Sequence, residues 1–257
     1  MIHQLTIVAS NKNRLSKTNP ASNFFIKSLK WQTRKDFSLI IVDGGSENRD
    51  EVDSILAESG LDAKSVSHPI GDAFLRSLLN NVGVRAAKTP YILTTDVDML
   101  YAKEFVQTVM SKVDENTLLE SRTMYWKQAL VNKIYSGELN PEENIDACKI
   151  GRIKKRTTAG GAQCMHINSW NKLRGFDEAY IGWGSEDCDL LERAKMAKLT
   201  IKWIGENKES IMLFHQPHHK DKKSREKELK EQEENKKLLH NIKTYIVNKN
   251  GWGGIYG

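Results

Sequence analysis

PYILTTDVDML, residues 90–100, opens on a proline, runs through large apolar and β-branched residues and ends in two aspartates, Asp96 and Asp98. Such a run reads as a short buried strand whose far end carries carboxylates. LTIVAS (5–10) and FSLIIVD (37–43) have the same character, and each is followed by polar or glycine residues. Between those two strands, residues 19–31 place Phe24, Phe25, Ile26, Leu29 and Trp31 roughly on one helical stripe. Residues 49–59 read as a surface helix, SVSHPI (65–70) contains a third strand, and FLRSLLNNVGVRAA (74–87) forms a longer helix. Strands alternating with helices predict an α/β fold: a Rossmann-like, mostly parallel central sheet with helices on both faces.

In sheets of this kind ligands gather beyond the C-terminal ends of the strands. Those ends hold Ser10 to Arg14, Asp43-Gly44-Gly45 and Asp96-Val97-Asp98, three polar clusters at corresponding places. The segment 101–158 mixes helical patterns with SRTMYW (121–126), read as a further strand, and a lysine-rich connection, GRIKKRTTAGG (151–161). AQCMHI (162–167) is a strand, NSWNKLRGF (168–176) a short helix and turn, and IKWI (201–204) and SIMLFH (210–215) are strands. Residues 218–240 are charge-dense and of mixed sign, which predicts a solvated helix. The chain then divides into a catalytic domain, 1–217, and a charged helical extension, 218–257, with a glycine- and aromatic-rich end, GWGGIYG.

The 257 residues suffice for one large domain with a full core, and 39% hydrophobic with 28% charged content is ordinary for a globular protein. No run approaches the ~18 apolar residues of a membrane span, and the N-terminus lacks a basic segment followed by an apolar core. Cys148, Cys164 and Cys188 form no metal-type pair, which points to a reducing, cytoplasmic setting. A net charge of +6 suits an anionic ligand, but its spread along the chain gives little support to nucleic-acid binding.

Asp96 and Asp98, one residue apart at a strand end, can both reach a divalent ion that bridges to a diphosphate; the alternative is a pair of turn aspartates. In GWGSEDCDLLERA (182–194), Ser185 is placed to cap a helix, so that Glu186, Asp187 and Asp189 fall in its first turn. Acids there stabilise a helix by about 0.3–1 kcal/mol each. That explains the acids but not a tryptophan between two glycines, which suits a lid or a flat stacking surface for a sugar. The helix dipole favours an ionised Asp187, as a general base requires. His215 ends its strand with His218 and His219 close behind; it is either a satisfied histidine or a ligand to the same ion. Arg76 is either a surface charge or a contact to phosphate or uracil.

Together these motifs resemble the GT-A nucleotide-sugar glycosyltransferases, in particular the β-1,4-galactosyltransferase group and the related bacterial chondroitin-polymerase type. FLRSLLNNVG is similar to that group's FNRAKLLNVG, DVDM to DVDL, GGAQCM to GG-x-x-x-M, GWGSED to GWGGED, and Met212-Leu213-Phe214-His215 to M-x-x-H. Asn13-Arg14 matches the signature that ends the first strand, and the motifs keep the family order over about residues 5–220. The resemblance implies that Arg14, Asp43 and Arg76 contact uridine diphosphate, with Ser10 and Asp96 on the nucleotide side. It implies that Asp98, Met212 and His215 ligate Mn²⁺ (Mg²⁺ being the alternative), and that Gly161 and Trp183 line the sugar site. Glu186 then lies near the acceptor and Asp187 is the base. Two departures stand out: Cys188 replaces a further acid, which bears on acceptor identity, and Asn80 replaces an apolar residue.

The implied reaction is an inverting transfer of a hexose of Gal, Glc or GalNAc type from a UDP-sugar to a hydroxyl of a saccharide or glycoconjugate acceptor. The lack of the animal enzymes' Golgi anchor points to a bacterial or viral enzyme, cytoplasmic or peripheral at the inner membrane surface. Nucleic acid enters only as an acceptor, in the alternative of a viral enzyme acting on hydroxymethylated bases in DNA. Two other classes compete: a glycoside hydrolase with paired carboxylates, and a basic nucleic-acid-binding module without catalysis.

Overall fold

The computed structural model describes residues 3–71, 73–153, 160–217 and 222–256. The chain begins as β1 (Leu5–Asn11), α1 (Pro20–Lys30), β2 (Phe37–Asp43), α2 (Arg49–Glu58), β3 (Ala63–Ser67), α3 (Arg76–Ala86) and β4 (Tyr91–Asp96). The expected alternation of strand and helix therefore holds over this stretch. Next come β5 (Met99–Tyr101), α4 (Phe105–Lys112), β6 (Thr117–Ser121), β7 (Thr123–Trp126), α5 (Gln128–Tyr135) and β8 (Gly151–Ile153). The remainder is β9 (Ala162–His166), α6 (Ile167–Leu173), α7 (Glu186–Met196), β10 (Thr200–Ile204), β11 (Leu213–His215), α8 (Lys222–His240) and a hairpin of β12 (Gly251–Trp252) with β13 (Ile255–Tyr256).

Seven strands form the central sheet in the order β10-β6-β9-β4-β1-β2-β3, and a second sheet runs β5-β11-β7-β8. The central sheet is parallel except for β9, which is antiparallel to both β4 and β6. Its faces follow the two-residue alternation of strands. Ile7, Ala9, Leu39, Ile41 and Leu93 pack with Phe25 and Leu29 of α1, Val52 and Leu56 of α2, and Phe105 of α4. Val8, Ile40, Val42 and Ile92 pack on the opposite face with Leu79 of α3, Trp170 of α6, and Leu190, Leu191 and Ala194 of α7. The architecture is an α/β GT-A fold with helices on both faces of a mostly parallel sheet.

SRTMYW, expected as one strand, is two pieces. Ser121 ends β6 in the central sheet, and after Arg122 the chain enters β7 in the second sheet. Arg122 N–H donates to Ile204 O at 3.0 Å, so the bend is fixed from the neighbouring β10 edge. The charged run 222–240 is helical and, Asn235 apart, largely solvated. GWGGIYG returns to the domain: Trp252 is buried with the α3-side cluster, and Gly253 N–H donates to Glu178 Oε1 at 2.7 Å. His218, His219 and residues 154–159 of the lysine-rich connection lie outside the described residues.

Candidate active site

The parallel register of β1 with β2 and β4 sets Ser10 opposite both Val42 and Asp96, and Asn11 opposite Asp43. Asp43 is fully buried, and its carboxylate accepts from Asn11 Nδ2 (2.8 Å), Ser46 Oγ (2.6 Å), and the N–H groups of Gly45 (3.0 Å) and Ser46 (2.8 Å). Burial is the largest single influence and pushes this carboxyl up, but the hydrogen bonds from Ser46, Asn11 and Gly45 together hold it below the usual carboxylate range. Ser10 is buried on the face shared with Asp96, and its Oγ has no hydrogen-bond partner among the described residues.

Asp98 lies just beyond β4 and is buried, with Arg14 Nη1 donating to its Oδ2 at 2.9 Å. His215 pairs with Met99 across β11 and β5, which brings its Nε2 to 3.7 Å from the same Asp98 oxygen. The His215 ring stacks on Tyr125, centroids 4.9 Å apart. The next residue, Gln216, fixes this corner: its backbone N–H and Nε2 both donate to Asp98 O at 3.2 Å, and its Oε1 accepts from Tyr135 Oη at 3.0 Å.

One guanidinium joins the strand-end acids to the helix acids. Arg76, buried at the start of α3, donates from Nε to Asp96 Oδ1 at 2.7 Å. From Nη1 it donates to Glu186 Oε1 and to Asp187 Oδ1, both at 2.9 Å. Residues more than a hundred positions apart in sequence thus converge on one side chain. Burial pushes the Glu186 carboxyl up, the adjacent Asp187 charge adds to this, and Arg76 opposes it. Gly160 borders the other side of Asp187: at φ +124°, a Cβ there would stand 2.6 Å from Asp187 Oδ2. Gly161 O accepts from Thr95 Oγ1 at 2.8 Å, which ties the glycine pair to the end of β4.

The expected cap at Ser185 is not formed. An N-cap needs an extended backbone with its side chain turned to the helix N–H groups; Ser185 is left-handed at φ +76° and makes no side-chain cap bond. The turn that precedes it, with Gly182 at φ +71° and Gly184 at φ +99°, brings the chain into α7 from the wrong direction for capping. Glu186, Asp187 and Asp189 do occupy the first turn. Asp189 is separate from the site: its Oδ2 accepts from the fully buried Arg193 Nε at 2.6 Å, and Arg193 also binds Leu173 O and Gly175 O. Trp183 is partly exposed at 44% on the loop just before the acids.

Met212 is not brought to the Asp98–His215 corner by any contact seen. Its side chain packs with two hydrophobic clusters and lines a cleft of about 610 Å³ together with Ala102, Trp203 and Ile211. Among the described residues no group of three or more His, Cys, Asp or Glu side chains is placed to hold an ion. Several site residues were not singled out from sequence: Asn11, Gly160, Gln163, Glu120 and Gln216. Gln163 Nε2 donates to Glu120 Oε1 at 2.6 Å and to Asp187 O at 3.2 Å. The available signals were an acid inside the apolar strand TLLES and a glutamine directly after the histidine.

The strand-end and helix acids thus meet at one edge of the sheet. Residues 21–160 match glycosyl transferase family 2, and the chain belongs to that family. Residues 144–219 match the family described as N-terminal domain of galactosyltransferase. An uncharacterized glycosyltransferase of Rickettsia conorii is 27% identical over 134 residues, 49% of this chain and 21% of that protein, so the chain spans about a fifth of that relative's length. Among solved structures, TarS of S. aureus in complex with UDP-GlcNAc has a TM-score of 0.59 at 12% identity, covering 85% of this chain and 60% of its own. A mannosyltransferase of Pyrobaculum calidifontis in complex with GDP-Man and Mn²⁺ has a TM-score of 0.58 at 13% identity, covering 94% and 65%. Membership of that family favours sugar transfer over the hydrolase and the non-catalytic nucleic-acid-binding readings. Among the described residues no helix is long and apolar enough to cross a membrane.

Proposed function

We propose that the chain transfers a hexose of Gal, Glc or GalNAc type from a UDP-sugar to a hydroxyl of a saccharide acceptor, with inversion at the anomeric carbon and Asp187 as general base. The observation that carries this is the simultaneous contact of Arg76 with Asp96, Glu186 and Asp187. Around one buried cation stand the strand-end Asp96, on the proposed nucleotide side, and the helix acids Glu186 and Asp187, on the proposed acceptor side.

The acceptor oxygen attacks the anomeric carbon, its proton passes to Asp187, and the bond from that carbon to the diphosphate oxygen breaks. The small Gly160 leaves Asp187 Oδ2 clear for this proton, while Arg76 holds Oδ1. Glu186, whose carboxyl is pushed up by burial and held by Arg76, stands beside Asp187 where it can hydrogen-bond an acceptor hydroxyl. Ser10, Arg14 and Asp43 serve the nucleotide, Gly161 and Trp183 the sugar, and Trp183 with Glu186 the acceptor. Asp98 and His215, an oxygen and an imidazole donor, with the Met212 thioether that the resemblance adds, would hold Mn²⁺ (Mg²⁺ being the alternative). When bound, such an ion offsets charge on the departing diphosphate. TarS in complex with UDP-GlcNAc and the mannosyltransferase in complex with Mn²⁺ support both parts of the reading.

The test is Asp187→Asn assayed with a panel of UDP-hexoses and saccharide acceptors. General bases contribute about 10²–10⁴-fold, so transfer is expected to fall by at least that lower bound while UDP affinity stays within about twofold. Equal loss of transfer and UDP affinity would remove Asp187 from the role of base.

A further inference from the structure

We infer that the charged helix α8 is part of the acceptor site, with Glu231 and Asn235 as positioning residues for the Trp183 loop. Trp183 N–H donates to Glu231 Oε2 at 3.1 Å. Asn235 Nδ2 donates to Ile181 O at 3.1 Å and to Trp183 O at 3.3 Å. Three backbone groups within residues 181–183 are therefore satisfied by two side chains one helical turn apart, at i and i+4 on one face. Asn235 is the buried residue of α8, in a helix otherwise turned to solvent.

The fit extends to side chains that are absent. Gly182 stands at φ +71°, and a Cβ there would fall on the Glu231 carboxylate. On its other side the loop is anchored by Gly182 N–H donating to Phe74 O at 3.1 Å, two residues before Arg76. The half-exposed indole is thus suspended between α8 and the segment that leads to the acid-binding arginine, directly before Glu186 and Asp187. A helix polar all round has little apolar surface to hold it. Through its attachment to this loop, those polar residues set the pose of the aromatic surface against a saccharide acceptor. The inference rests on the reading of Trp183 as an acceptor wall.

The test uses the full chain with Glu231→Ala, Asn235→Ala and the conservative Glu231→Gln, whose amide oxygen can still accept from Trp183 N–H. Amide hydrogen exchange of residues 181–185 is measured by mass spectrometry, and UDP affinity by calorimetry with Mn²⁺. Loss of the one bond to the Glu231 carboxylate in E231A, and of the two amide-to-carbonyl bonds in N235A, is expected to speed exchange of the loop about tenfold in each. E231Q is expected to remain close to the unaltered protein, and UDP affinity to stay within about twofold in all three. Unchanged exchange in E231A and N235A overturns the inference, as does exchange that rises equally throughout α3 and α7 with collapse of UDP binding. Failure of every UDP-hexose to turn over would count against the proposed reaction alone, because the exchange result stands without it.

Discussion

Glu120 is a carboxyl group fully buried in β6, touching the base from behind through Gln163, which bonds both Glu120 Oε1 and Asp187 O. Burial is the main cause that pushes it from 4.5 up to about 8, with the Asp187 charge adding and the Gln163 amide opposing. A group raised on folding binds more protons in the native state. Its contribution is fully present below pH 4.5 and is lost as pH rises through about 8. Glu120→Gln, which keeps an acceptor for Gln163, is therefore expected to be more stable than the unaltered protein at pH 9, with the difference vanishing near pH 4.5. At about 1.4 kcal/mol per pKa unit the gain is on the order of a few kcal/mol, read from denaturant melts at both pH values. Identical pH profiles would show that Glu120 does not titrate this way. Asp98 and His215 stand out in the sequence because each lies at the end of an apolar strand run, and Asp187 because an acid pair follows the glycine-flanked Trp183. Glu120 was not, because one acid in a short strand reads as solvent-facing until β9 and β10 are known to flank it.

The ends of strands and helices, not their middles, converge at the candidate site: Asp43 and Asp96 close β2 and β4, and Arg76 and Glu186 open α3 and α7. β1, β2 and β4 were legible as short β-rich apolar runs, β2 ending in Asp43-Gly44 and β4 opening after Pro90, and α1 by its stripe of Phe24, Phe25, Ile26 and Leu29. β3 (Ala63–Ser67) begins two residues ahead of the expected SVSHPI because its polar AKSVS carries little apolar signal. The β6–β7 break was not legible, since Arg122 carries no turn chemistry and its bend is imposed by Ile204 of a distant strand. Likewise the entry to α7 follows its left-handed glycine turn and not the capping preference of Ser185. The glycine pair before β9 is the element-scale counterpart of the base. Gly160→Ala puts a methyl group 2.6 Å from Asp187 Oδ2 at a left-handed φ of +124°. Turnover of the preferred UDP-hexose is expected to fall at least about tenfold, since a small misplacement of a reacting group carries a large penalty. Unchanged turnover would show that Asp187 Oδ2 does not face the acceptor.

Across the molecule, the central sheet supplies the strand-end acids of the proposed nucleotide side, α7 the helix acids, and the second sheet the histidine. Arg76 ties the first two, and the pairing of β11 with β5 ties the third. Sequence order announced these parts but not their meeting, because a long-range ion network is a property of the packed chain. Asn80 remains buried with no hydrogen-bond partner for its amide among the described residues, and nothing in the structure explains it. Asp98, just beyond β4, and His215 of β11 are proposed to hold an ion on the diphosphate. Calorimetric titration of UDP into the unaltered protein and into Asp98→Ala, each with and without Mn²⁺, tests it most directly. Mn²⁺ is expected to tighten UDP binding about tenfold or more in the unaltered protein and to add nothing in the variant. An equal Mn²⁺ enhancement in both proteins would contradict it.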